Sequence, residues 1–175
     1  MPPKLAIYTS PAARVGIFID AQNIFRSIQL VQGRKKLDYK KMLTKALAGR
    51  TLYCAQFYDI LAEEDFSKDA FLQAIGRSGY EVFTKPVQVF AGGVTKGDWD
   101  LGMAIDMVSV AEKLDVVILG SGDGDFLPLV KYLKHKAQCR VEGISILRTT
   151  NAALLAEFDS HIDLCGSANA DLFRP

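Results

Sequence analysis

Two runs of almost purely apolar residues each lead straight into aspartate: Val15-Gly-Ile-Phe-Ile19 is followed by Asp20, and Val116-Val-Ile-Leu-Gly120 is followed by Ser121-Gly-Asp123-Gly-Asp125. A strand with one face in water alternates apolar and polar residues, whereas one covered on both faces reads as a continuous apolar run. Such strands belong in the middle of a parallel sheet with helices on both sides. The first run is expected as the central strand.

The rest of the chain repeats the alternation of strand-length apolar runs with stretches of helical period that marks βαβ units. Strands are predicted at Thr51 to Ile60, Tyr80 to Thr84, Val141 to Leu147 and, as a short edge segment, Ile162 to Leu164, with Val87 to Phe90 continuing or pairing with the third. Helices are predicted near Ile24 to Val31, then at Asp38 to Ala48, where Asp38 is placed to cap, and at Glu63 to Ser78, Asp100 to Lys113, Phe126 to Lys136 and Ala152 to Phe158. The expectation is a three-layer α/β/α sandwich in one domain over residues 15–166. It would be preceded by a flexible arm, residues 1–14, containing Pro2, Pro3 and Pro11, and followed by a tail, residues 167–175.

Several function classes fall away at this stage. No apolar run approaches the ~20 residues of a membrane helix, and the first residues lack the unbroken apolar stretch of a secretory signal, so a cytoplasmic protein without membrane contact is expected. Cys54, Cys139 and Cys165 are odd in number, far apart and without a CxxC pair, which suggests buried thiols rather than disulfides or a zinc finger. The glycine-rich Gly120 to Gly124 turn is neither GxxxxGK[ST] nor GxGxxG, and Gly120-Ser-Gly122 is not the GxSxG of a hydrolase elbow. The net charge of +1 hides basic runs at Arg34 to Lys36, Lys40-Lys41 and Lys131 to Lys136, set against aspartates between Asp98 and Asp125. That balance neither requires nor excludes a polyanionic partner.

In open α/β sheets ligands bind beyond the carboxyl ends of the strands, where strand order reverses. If the two apolar strands are neighbours, Asp20, Asp123 and Asp125 converge there. Like charges brought together raise pKa values or require a cation, and carboxylate ligands suit Mg²⁺ or Mn²⁺ better than zinc. The two histidines, His135 and His161, do not sit at a strand's carboxyl end. A single aspartate after a strand is as well explained by helix capping.

A further acidic segment, Lys96-Gly-Asp98-Trp-Asp100, precedes a helix that also contains Asp106. Six residues turn a helix by about 240°, so Asp100 and Asp106 cannot share a face. Asp100 is the better metal candidate, and Asp106 is left to orient a neighbour or meet solvent. Asn23, Lys96 and Ser121 are candidates for contact with substrate. Asn23 could equally cap, Ser121 could second a metal ligand or form the turn, and Lys96 could be a solvated loop lysine.

These motifs, Phe18-Ile-Asp-Ala-Gln-Asn23, Lys96-Gly-Asp-Trp-Asp100 with Asp106, and Val117-Ile-Leu-Gly-Ser-Gly-Asp-Gly-Asp-Phe126 followed by Pro128-Leu-Val130, together resemble the NYN domain family, in particular its LabA-like branch, a relative of the PIN-domain nucleases. The resemblance spans Val15 to Leu164. It implies a PIN-like sheet with strand order 3-2-1-4-5, an aspartate cluster holding Mg²⁺, and action on RNA. By position the catalytic and metal-binding residues would be Asp20, Asp100, Asp123 and Asp125. The middle motif departs from the family's usual form, nearer KGVDV, by one extra residue, which leaves Asp98 and Asp100 competing.

The activity so implied is metal-dependent hydrolysis of RNA phosphodiester bonds, with Lys96, Arg34 to Lys36 or Lys131 to Lys136 guiding the backbone and Trp99 or Phe25 stacking on a base. Two other readings fit the same residues: an RNA-binding or regulatory module of this fold with little turnover, and a metal-dependent phosphatase acting on a small substrate. A homo-oligomer is compatible with each.

Overall fold

The computed structural model describes residues 7–33, 35–61, 66–89, 95–96 and 99–174. Six parallel strands form the sheet: β1 (Arg14–Asp20), β2 (Thr51–Leu61), β3 (Glu81–Pro86), β4 (Val116–Gly120), β5 (Arg140–Ser145) and β6 (Ser160–Asp163). Their order is β3-β2-β1-β4-β5-β6. The order 3-2-1-4-5 is therefore present, extended by the edge strand at Ser160–Asp163. Val87 to Phe90 does not extend the sheet within the described residues; Gln88–Val89 pairs antiparallel with Thr95–Lys96 instead.

Among the described residues six α-helices cover the two faces: α1 (Ala21–Gln32), α2 (Tyr39–Leu47), α3 (Phe66–Arg77), α4 (Asp100–Val110), α5 (Leu127–His135) and α6 (Ala152–Glu157). Because successive strand side chains point to opposite faces, β1 serves both layers at once. Val15, Ile17 and Ile19 pack with Ile24 and Ile28 of α1, Met42 and Leu43 of α2, and Ile75 of α3. Phe18 faces the other way, onto Met103 and Met107 of α4, with Val130 and Leu133 of α5 and Leu154 of α6 in the same cluster. Strand β4 is fully buried along its length, which accounts for its unbroken apolar run. Among the described residues no helix is long and apolar enough to cross a membrane.

Aspartates start two of the helices. The Asp20 side chain accepts from the Asn23 amide at 3.1 Å to open α1, and that of Asp38 accepts from the Lys41 amide at 3.1 Å to open α2. The Asp38 carboxylate also binds the Arg174 guanidinium. Residues 167–174 pack back onto the domain: Leu172 is buried, and Phe173–Arg174 pairs antiparallel with Lys36–Leu37.

Candidate metal centre

Strand order reverses between β1 and β4; Asp20 ends β1, Asp123 and Asp125 follow the carboxyl end of β4, and Asp100 starts α4. Ligand oxygens of Asp100, Asp123 and Asp125 all lie within 4.8 Å of one another. Asp20, Asp100 and Asp123 line one small cavity of about 70 Å³, together with Gln22, Asn23, Arg26, Tyr58, Ile60 and Trp99. Drug-sized ligands occupy roughly 300–1,000 Å³, so this space suits an ion, its waters or one phosphate group. Nucleobases would have to lie at its rim.

A local hydrogen-bond network fixes the loop between β4 and α5. Ser121, wholly buried, donates its hydroxyl to Asp20 Oδ2 at 3.1 Å and accepts from the Asp123 amide at 3.2 Å. Asn23 Oδ1 accepts from the Gly122 amide at 2.9 Å, and the Asp123 carboxylate accepts from the Asp125 amide at 3.0 Å. On the other side the Asn151 amide donates to the Gly122 carbonyl at 2.9 Å. This packing is close at two glycines. A Cβ on Gly122 would stand 3.0 Å from the Thr150 Cα, and one on Gly124 would stand 2.6 Å from Asn151 Nδ2.

Electrostatics at Asp20 follow from this geometry. Burial pushes its carboxyl above the ordinary value and the nearby Asp123 charge adds to that, while the bonds from Asn23 and Ser121 and the Arg26 charge oppose it. Asp20 caps α1 and also lines the cavity, but it stands outside the group of Asp100, Asp123 and Asp125 whose oxygens converge. Asn23 and Ser121 contact the acidic loop itself, through its backbone and through Asp20.

Asp106 meets a neighbour from β2: the Tyr58 hydroxyl approaches its Oδ2 at 2.9 Å and Gln56 Oε1 at 2.7 Å. Burial, then Asp106, raises the Tyr58 pKa far above that of a free phenol. Trp99 stands edge-on to Tyr58, donates Nε1–H to the Asp59 carbonyl at 2.8 Å, and lies under Lys85 Nζ at 5.1 Å from its ring centre. Asp98, Arg34 and the Lys96 side chain lie outside the described residues, so Asp100 joins the cluster with no comparison to Asp98. His161 contacts Ser145 Oγ at 2.7 Å and His135 approaches Glu157, both apart from the cavity.

Tyr58 and Arg26 were absent from the sequence-derived site. A tyrosine inside an apolar strand reads as core, and an arginine on an amphipathic helix reads as solvated surface. Only the neighbouring strand order places the end of β2 beside the acidic loop.

The NYN domain family model matches residues 14–165. The Low amplitude and bright protein LabA of Synechococcus elongatus is 29% identical over 165 residues, covering 87% of this chain and 84% of that protein. A crystal structure of a protein of unknown function, VPA0982 from Vibrio parahaemolyticus RIMD 2210633, superposes with a TM-score of 0.84 at 27% identity, covering 94% of this chain and 98% of that one.

Proposed function

The chain belongs to the NYN domain family, and from that premise we propose that it is a metal-dependent ribonuclease whose acidic centre is formed by Asp20, Asp100, Asp123 and Asp125. Family membership supports a nuclease-type role. The observation that carries the proposal further is the convergence of Asp100, Asp123 and Asp125 within 4.8 Å, two of which, Asp100 and Asp123, line the cavity that Asp20 also lines. The donor set is entirely carboxylate oxygen, which fits Mg²⁺ or Mn²⁺ and does not favour zinc.

Asp100, Asp123 and Asp125 would hold the ion, with Asp20 beside them. When bound, a divalent ion supplies Lewis-acid polarisation of the phosphodiester and of the attacking water. The chain's own residues supply placement. Ser121 and Asn23 hold the acidic loop against α1, so the carboxylates are positioned before substrate arrives. Asp106 fixes the Tyr58 hydroxyl at the cavity wall, and Trp99 closes the side toward β3. No side chain need act as nucleophile.

The test is cleavage of labelled single-stranded and structured RNA by the purified chain with Mg²⁺, with Mn²⁺ and with chelator. Cleavage that needs metal and disappears in Asp123→Asn supports the proposal, and cleavage that survives in both Asp20→Asn and Asp123→Asn sinks it. A second reading, an RNA-binding module with little turnover, draws on Asp20, whose carboxylate already serves as a cap and binds Ser121. Salt-sensitive RNA binding without cleavage under either metal would favour that reading.

A further inference from the structure

Helix α1 leaves the acidic centre at Asp20, and its outward side differs in charge from everything around that centre. Ala21–Gln32 contains no carboxylate and one cation, Arg26. Among the described residues Arg26 is also the one cation lining the cavity. Its guanidinium has a single hydrogen bond among the described residues, from Nη2 to Gln22 Oε1 at 3.1 Å, so most of its five donors remain for a ligand. The guanidinium fork matches phosphate geometry.

Two further observations extend the feature along the helix. Phe25, the residue before Arg26, is 58% exposed, and Leu30, one turn beyond Arg26, is 79% exposed. At the far end of the helix, past Gly33, Lys35 and Lys36 are both exposed. Twelve residues at 1.5 Å each make α1 about 18 Å long. A stacked single strand, with a phosphate about every 3.4 Å of its axis, covers that length with about five nucleotides.

We propose that the outward side of α1 is the track on which the RNA strand lies: Arg26 binds the phosphate nearest the acidic centre, Phe25 stacks on an adjoining unpaired base, and Lys35 and Lys36 hold the strand at the far end. The track rests on the ribonuclease reading, since it names the path of that substrate. Its chemistry answers a problem that reading leaves. A carboxylate cluster repels a polyanion, and a carboxylate-free helix with a cation at the cavity and a basic far end offers the strand an approach from one side. Of the other exposed basic pairs, Lys40 and Lys41 lie on α2, where Lys41 already donates to the Asp171 carbonyl at 3.0 Å, and Lys131 and Lys136 lie within and at the end of α5, whose Lys134 is already bound to Glu157 and Asp159.

The experiment measures binding of a fluorescent single-stranded RNA to the full chain carrying Asp123→Asn, across a salt series. Arg26→Gln should lower the slope of log affinity against log salt by about 0.7, the value of one phosphate contact on a single strand, and Lys35→Gln/Lys36→Gln by up to twice that. Phe25→Ala should weaken binding about fivefold or more with the slope intact, as loss of a stacked base does. Arg77→Gln, at the end of α3, should change neither, and thermal unfolding should confirm that all variants fold. Wild-type slopes in both Arg26→Gln and Lys35→Gln/Lys36→Gln would overturn the track, as would a slope lost in Lys131→Gln/Lys136→Gln instead. Either result leaves the ribonuclease reading standing if RNA is still cleaved. A wild-type chain that neither cleaves RNA nor binds it ends both.

Discussion

The two edges of the sheet use the same charged residues and treat them in opposite ways. At the amino edge two carboxylates meet guanidinium groups: Asp115 takes Arg14 Nε at 3.0 Å, and the buried Glu142 takes Arg50 at 2.8 Å and Arg140 at 2.7 Å. At the carboxyl edge Asp20 and Asp123 are held by backbone amides and a hydroxyl. There Asp100, Asp123 and Asp125 crowd within 4.8 Å. Asp59, one strand over, is paired with Lys68 at 3.0 Å and marks where that crowding ends. One edge neutralises its charge within the fold, while the other keeps a negative field over a cavity and forgoes stability that a bound cation would restore.

The largest test of this contrast is Asp123→Asn. RNA cleavage should fall by more than about 10³-fold, ~4 kcal/mol in barrier, while the metal-free protein unfolds at the same or a higher temperature. A fall in metal-free melting temperature would break the contrast, because it would mean that the cluster stabilises the fold as it stands.

The mirror experiment is at the other edge. Glu142→Ala leaves Arg50 buried without its partner and should lower the free energy of unfolding by about 3 kcal/mol, read by urea denaturation, with cleavage per folded molecule unchanged. Smaller again is Asn23→Ala, which frees one side of the acidic loop. Metal affinity, measured by calorimetry, should drop about tenfold, with little change in overall stability.

The smallest effect is in the acid limb of stability. Burial pushes the Glu142 carboxyl up, but hydrogen bonds from Arg50 and Arg140 outweigh it and hold it below its ordinary value, and Arg14 does the same for Asp115. A carboxyl depressed in the folded state stabilises above its ordinary pKa, about 4, and that contribution disappears as pH falls through the folded value. Asp20 is raised, so its penalty exists above its folded pKa and is relieved on acidification. Stability of the metal-free chain should therefore decline below about pH 4, more gently in Glu142→Gln, whereas Asp20→Asn should lose the relief that Asp20 gains on acidification and so fall more steeply on the approach to that pH.

How much of this was legible in the sequence follows from the same asymmetry. Val15 to Ile19 and Val116 to Gly120 announce buried parallel strands because their apolar runs do not alternate, and the aspartates that follow stand where such sheets bind ligands. The capping by Asp38 is likewise local and readable. Tyr58 and Arg26 join the cavity through the neighbouring positions of β1, β2 and α1, and nothing within their own segments reports it. The same holds for residues 167–174, whose composition suggests a tail but whose Leu172 and Arg174 meet α2 and its cap across more than 120 positions of sequence. Pairings of that separation leave no periodic mark.

The bond between Ser121 and Asp20 joins residues 101 positions apart, and the strands that bring them together are the two at the centre of the sheet. That separation sets a timetable. Closing so long a loop is slow compared with forming helices or pairing near neighbours. As the chain leaves the ribosome, β1, α1 and β2 are available well before β4, so Asp20 waits through most of synthesis without the loop that completes its surroundings. The acidic centre is assembled late and as a unit, and a truncated or half-made chain ending before Asp123 has no such centre at all.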